Sequence, residues 1–145
     1  MEFSIHNTES WPFERISPYK DAILGAFEML QERFPDDVTV ASLIDDAITG
    51  RKALWLVLDS DEAFVSLAMT QIRTVEATGK KIATAMDLAG RDHREFIDDL
   101  IKVLEQWAKD NDADLFALEG RPGWSKSVKG HGYKPFAVMW RKEVA

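Results

Sequence analysis

The chain has 145 residues, with 25 acidic against 18 basic side chains, a formal charge of -7, and no cysteine. That length suits one domain, and 46% hydrophobic with 30% charged residues describes a packed core rather than a disordered chain. The acidic balance excludes a protein that binds nucleic acid by neutralising phosphates, and the missing thiols exclude a disulfide framework, a thiolate metal site and a cysteine nucleophile.

In chain order, Phe3, Ile5, Trp11, Phe13 and Ile16 stand among polar residues and Pro12, a pattern for a short strand and a loop over the core. From Pro18 the spacing predicts a helix, because proline suits a first turn and Tyr19, Ile23, Ala26, Phe27, Leu30 and Phe34 form one apolar stripe. Pro35, Asp36 and Asp37 end it. A shorter helix is predicted over 40–48, started by Thr39 and stopped by Gly50, with Val40, Leu43, Ile44, Ala47 and Ile48 inward. The two make a helical hairpin.

The period then changes. Residues 53–58 are continuously apolar and rich in strand formers, 59–62 are a polar turn, and 63–75 return as a longer strand. Gly79 turns the chain into a third antiparallel strand from Lys81 to Leu88. A glycine turn over 89–92 leads into the strongest helix of the sequence, from His93 to about Lys109. Its stripe is Phe96, Ile97, Leu100, Ile101, Leu104, Trp107 and Ala108. Asp92 and Glu95 resemble a capping box at the positive end of the helix dipole. A strand passing through glycine into a helix N-terminus aims free backbone N–H groups at one point, a geometry that can hold phosphate. Residues 115–118 read as a short strand parallel to the previous one, since a helix joins the two. Residues 120–124 open a last short helix to about Lys129, and 136–140 read as a final strand. No run approaches the roughly twenty apolar residues that span a bilayer, and residues 1–10 lack a signal-peptide pattern. A cytoplasmic protein with neither membrane nor nucleic-acid partners is expected.

This order of helices and strands resembles the GNAT superfamily of acyl-CoA-dependent N-acetyltransferases. Gly130, His131, Gly132 and Tyr133, followed by Lys134, Pro135 and Phe136, look like the Gly-Phe or Gly-Tyr turn that ends the family's last helix. The stretch Glu119, Gly120, Arg121, Pro122, Gly123 and Trp124, through Gly132 and Tyr133, is similar to small GNAT-like proteins of tailed bacteriophages, where Gly-Arg-x-Gly-Trp precedes Gly-Tyr. The resemblance implies an α+β fold, a mixed and mostly antiparallel sheet with helices on both faces. It also implies acetyl-CoA as cofactor and a small-molecule or protein amine as acceptor. For a member that has lost catalysis it implies instead a structural or interaction role in a phage particle, with other phage proteins as partners and the host cytoplasm or virion as location.

Several residues depart from the family pattern. The turn that carries Arg or Gln, two residues, Gly, one residue, then Gly or Ala in the family has a single glycine here, Gly90, and Asp92 adds negative charge. The position of the family's proton-donating Tyr is Val128. A near-match over 127–132 follows a different strand and precedes no helix.

The cofactor-binding candidates are therefore Leu88, Ala89, Gly90, Arg91, His93 and Arg94, against an ordinary strand-to-helix turn with a charged cap. At Gly90 a Cβ is expected to obstruct a bound diphosphate. Asp87 and Glu119, near the ends of adjacent strands, are candidate general bases for an amine, against the reading of solvated strand ends. Tyr133 is a candidate proton donor to the departing thiolate, with Ser125 or Ser127 as substitutes. Arg121 reads first as a turn residue. Trp55, Trp107, Trp124 and Trp140 each fall on an apolar face and read as core. His6, His93 and His131 lack companions at metal-ligand spacing, and no Ser sits in a nucleophile elbow.

Overall fold

A computed structural model of the chain describes residues 2–120 and 124–145. Five strands form one sheet in the order β1-β2-β3-β4-β5. They are β1 (Phe3–Asn7), β2 (Ala53–Asp59), β3 (Phe64–Thr74), β4 (Lys81–Gly90) and β5 (Leu115–Leu118). The first four pair antiparallel, and β5 joins β4 in parallel. Continuous apolar sequence in β2 and β3 has its cause here. Residues Ala53–Leu58 and Val65–Thr70 are buried, because both faces of the sheet are covered.

One face carries α2 (Lys20–Arg33) and α3 (Val40–Ile48), which follow the one-turn α1 (Phe13–Ile16) and a 3-10 turn at Ser17–Tyr19. Ile23, Phe27, Leu30 and Leu43 pack there on Leu54, Leu56, Leu67, Met69 and Ala89. The first turn of α3 is held by a reciprocal capping box between Thr39 and Ser42. The other face carries α4 (His93–Asp110), whose Phe96, Ile97, Leu100, Ile101 and Leu104 pack on Trp55, Val57, Val65 and Ala68. Burying each of these large side chains is worth roughly 1.5–3 kcal/mol, so α4 is fixed by its stripe rather than by its ends. After β5, α5 (Ser125–Val128) and a 3-10 turn at Lys129–His131 close over the α4 side, where His131 Nε2 meets Asp98 Oδ1 at 2.7 Å. Gly132, at φ 85°, ends that turn.

Four expectations fail. Asp92 does not cap α4 through its side chain: it sits left-handed at φ 59°, and its carboxylate pairs with Arg91. Ile48 is exposed, because α3 ends there at the sheet margin. Residues 136–140 form no strand, and Phe136 is wholly exposed. Trp140, 89% exposed, is not core; the run is continuously apolar, as a buried strand would be, but it pairs with no strand among the described residues. Arg121 and the opening of the last helix over 121–123 lie outside the described residues.

Candidate active site: a parted pair of strands

The central feature is where β4 and β5 part. Their pairing runs only from Ile82 opposite Leu115 to Ala85 opposite Leu118, while β4 continues to Gly90. The cause is visible on the other side of β4. Between Ala68 opposite Leu88 and Thr70 opposite Ala85, β3 advances two residues and β4 three, so Met86 and Asp87 form a β-bulge. A bulge bends its strand and sharpens the local twist. It falls one residue past the last β5 pair and swings the rest of β4 away, leaving a wedge bounded by Met86–Gly90 on one side and the chain beyond Leu118 on the other.

At the wide end of the wedge β4 feeds α4. The Arg91 N–H donates to the Val65 carbonyl and the Glu95 N–H to the Asp92 carbonyl, but those of Asp92, His93 and Arg94 have no partner among the described residues. These are the free donors of a helix start. Arg91 is exposed, paired with Asp92 at 2.5 Å, and Arg94 is exposed with no ion-pair partner among the described residues. Leu88 packs toward α4 and Ala89 is buried toward α2. Gly90 is held from behind. A Cβ there would lie 2.4 Å from the Val65 carbonyl oxygen and 2.5 Å from the Ser66 Cα, so the glycine admits the neighbouring strand. The expected clash with a ligand is thus preceded by a clash with β3.

His93 turns its ring inward. The imidazole stands edge-on to Phe96 and tilted against Trp124, with Nε2 3.4 Å from the Ser66 hydroxyl, which itself donates to the Ala89 carbonyl at 2.8 Å. Burial lowers its pKa, the Arg33 charge at the end of α2 lowers it further, and Asp92 acts weakly the other way. Burial thus favours the neutral form of the His93 ring, and its backbone N–H faces the wide end without a partner among the described residues.

The three candidate catalytic groups do not converge. Asp87, on the bulge, turns toward the α3 side, where Lys52 Nζ meets it at 3.1 Å and Asp46 at 3.4 Å. Sequence reading missed this partner, since Lys52 lies 35 positions away with no local pattern linking the two. Tyr133 packs edge-on to Phe116 on the opposite, α4 side. Its hydroxyl is buried without a hydrogen-bond partner among the described residues. Burial first, and then the nearby Glu105 carboxylate, raise its pKa well above that of an ordinary tyrosine. Glu119 is exposed just past β5, and its backbone N–H donates to the Ala85 carbonyl at the parting point. No helix among the described residues is long and apolar enough to cross a membrane.

No protein-family model matches the chain, and no curated protein sequence does either. Solved structures do match over nearly the whole length. Glucosamine-6-phosphate N-acetyltransferase from Arabidopsis thaliana superposes with a TM-score of 0.71 at 10% identity, over 100% of both chains. A Trypanosoma brucei acetyltransferase gives 0.70 at 12%, over 99% of this chain and 100% of that one. An aminoglycoside acetyltransferase from an uncultured soil metagenomic sample, solved with trehalose, gives 0.68 at 12%, over 99% and 97%. At such identities the likeness is one of fold, and the fold is that of the GNAT acetyltransferases.

Proposed function

We propose that the chain is an acyl-CoA-dependent N-acetyltransferase that moves an acetyl group to an amine. The observation that carries this reading is the wedge itself. A bulge at Met86 and Asp87 parts β4 from β5 and points the freed strand end, with three unpartnered backbone N–H groups, at one place. Unpaired strand edge suits an amide-bearing arm, and free helix-start donors suit a diphosphate. Acetyl-CoA would supply an activated thioester. The chain's share is then to bind and to orient. The N–H groups of Asp92, His93 and Arg94, with the Arg91 and Arg94 guanidinium groups, would hold the diphosphate, and the backbone of Leu88 and Ala89 would align the arm. Positioning of this kind can supply much of the rate of an acyl transfer.

Of the two candidate bases, Glu119 is the freer, being exposed at the parting point, whereas Asp87 is engaged by Lys52. We assign Glu119 the proton of the incoming amine. The Tyr133 hydroxyl, kept protonated by its raised pKa, is assigned the role of donor to the leaving thiolate. The acceptor belongs to the broad class of small-molecule or protein amines. A second reading, a GNAT fold retained as an inactive structural or interaction component, of a phage particle or elsewhere, draws on two observations: the single glycine of the turn serves β3, and Asp87 has a cation of its own.

The test is acetyl-CoA binding by calorimetry and thermal shift, followed by release of the CoA thiol with a panel of amines. The chain has no cysteine, so a thiol reagent reads product without protein background. Ligand at one hundred times its Kd should add about 2.7 kcal/mol of stability, and Arg94→Ala should weaken binding. No heat and no shift at millimolar acetyl-CoA would leave the inactive reading.

A further inference from the structure

β4 changes its facing partway along. Ala85 and Leu88 both join the α4-side core, although residues three apart on a regular strand face opposite ways. The extra residue of the bulge resets the alternation between them, turning Asp87 to the α3 side and Ala89 to the core under α2. Carried further along the strand, the extra residue would leave Asp87 on the α4 side with Ala85 and exchange the faces of Leu88 and Ala89. The last third of β4, which makes one wall of the wedge, thus depends on which side Asp87 occupies.

That side is unfavourable for a lone carboxylate. The Asp87 side chain is 12% exposed, and the one cation that pairs with it among the described residues is the Lys52 ammonium, itself on a side chain 14% exposed. Lys52 comes from the row where the bulge begins: Ala53, the next residue, stands opposite Thr70, and Thr70 opposite Ala85. Two strand spacings, about 10 Å, separate the ends of that row, a span that a lysine and an aspartate cover together. Ala53 belongs to the α4-side core, and Lys52 beside it faces α3. The base of the lysine is fixed as well. Its N–H donates to the Asp46 carbonyl at 3.1 Å, its ammonium also meets the Asp46 carboxylate at 3.4 Å, and Arg51 holds that carboxylate at 2.9 Å.

We infer that Lys52 is a positioning residue for the wedge: by holding Asp87 on the α3 side it fixes where β4 carries its extra residue, and so where β4 leaves β5. Chain length provides the extra residue, and Lys52 decides its place. Without the ammonium, the Asp87 carboxylate keeps its charge only by turning to water. The extra residue then moves toward Gly90, and the backbone of Leu88 and Ala89 leaves the line along which it would align the arm of acetyl-CoA. Lys52 touches no cofactor atom in this scheme and acts through Asp87. The effect on binding rests on the acetyl-CoA reading, whereas the effect on the strand does not. Asp87→Asn removes the buried charge, and with it the need for Lys52.

The experiment compares Lys52→Met, Lys52→Arg, Asp87→Asn and the double variant of Lys52→Met with Asp87→Asn in the full chain. Each is measured for acetyl-CoA affinity on its folded fraction and for backbone hydrogen exchange without ligand. Lys52→Met should weaken acetyl-CoA binding about tenfold, and Lys52→Arg, which keeps the charge, should retain most of the parent's affinity. In the Asp87→Asn background the same Lys52→Met should change affinity by less than about twofold. Without ligand, the amides of Leu88–Gly90 should exchange about tenfold faster in Lys52→Met, while those of β1 exchange as in the parent. Should Lys52→Met not fold, Lys52→Gln, which keeps a donor without the charge, takes its place. Unchanged exchange at Leu88–Gly90, or exchange raised alike in every strand, would overturn the inference. So would an unchanged affinity in Lys52→Met of a parent that binds, or an equal loss in the Asp87→Asn background. A parent that binds no acetyl-CoA counts against the enzyme reading alone, and the exchange measurement still decides the role of Lys52.

Discussion

Gly90 touches Ser66 so closely that a single methyl group on it would fall 2.5 Å from the Ser66 Cα. At φ 146° the backbone there also disfavours any L side chain. Gly90→Ala should therefore cost about 3 kcal/mol or more through overpacking and backbone strain together. Chemical denaturation would measure it. A loss under about 1 kcal/mol would mean that β3 and β4 do not approach as described.

The α4 stripe gives a graded expectation. Phe96 is fully buried, so Phe96→Ala should cost roughly 3–5 kcal/mol. Trp107, half-buried and edge-on to Trp55 at 5.7 Å, should cost less, about 1.5–3 kcal/mol, in spite of its larger ring. Reversal of that order in urea melts would show that the end of α4 lies deeper than its start.

His93 predicts a pH dependence with a definite sign. Its pKa in the folded chain is lowered by burial and by Arg33, so between that value and about 6.5 the unfolded chain binds the extra proton. The stability owed to neutral His93 is complete above about pH 6.5 and is lost as pH falls toward the folded pKa. His6, lowered by burial and by Arg15, acts in the same direction. The melting temperature should drop from pH 7.5 to pH 5, and His93→Phe should flatten part of that slope. An unchanged slope in the variant would place the proton uptake elsewhere.

What the sequence showed and what it hid divide along physical lines. The α4 stripe, the two hairpins and the parallel β5 were legible because each rests on a period or a connection length within one stretch of chain. Asp92 was misread as a cap because residue type gives the donor and acceptor, while a φ of 59° decides where the carboxylate points. Gly90 stands out in the sequence as the single glycine of its turn, yet its close neighbour is Ser66, and no local pattern predicts the register that brings them together. Asp87 and Lys52 meet only after the bulge turns Asp87 toward α3. Residues 136–140 have the sequence of a strand, but strand geometry also needs an edge, and that is a property of another part of the chain or of another chain.

The extra residue in β4 has a consequence for how this chain can change over generations. Substitutions leave the count of residues between Ala85 and Leu88 intact, so most of them preserve the parting of β4 from β5. Removing one codon at Met86 or Asp87 would restore even spacing against β3 and let the strand run straight, continuing beside the chain that follows β5. The gap is encoded as a number rather than as a side chain, and a length change of one is the mutation to which it is most exposed.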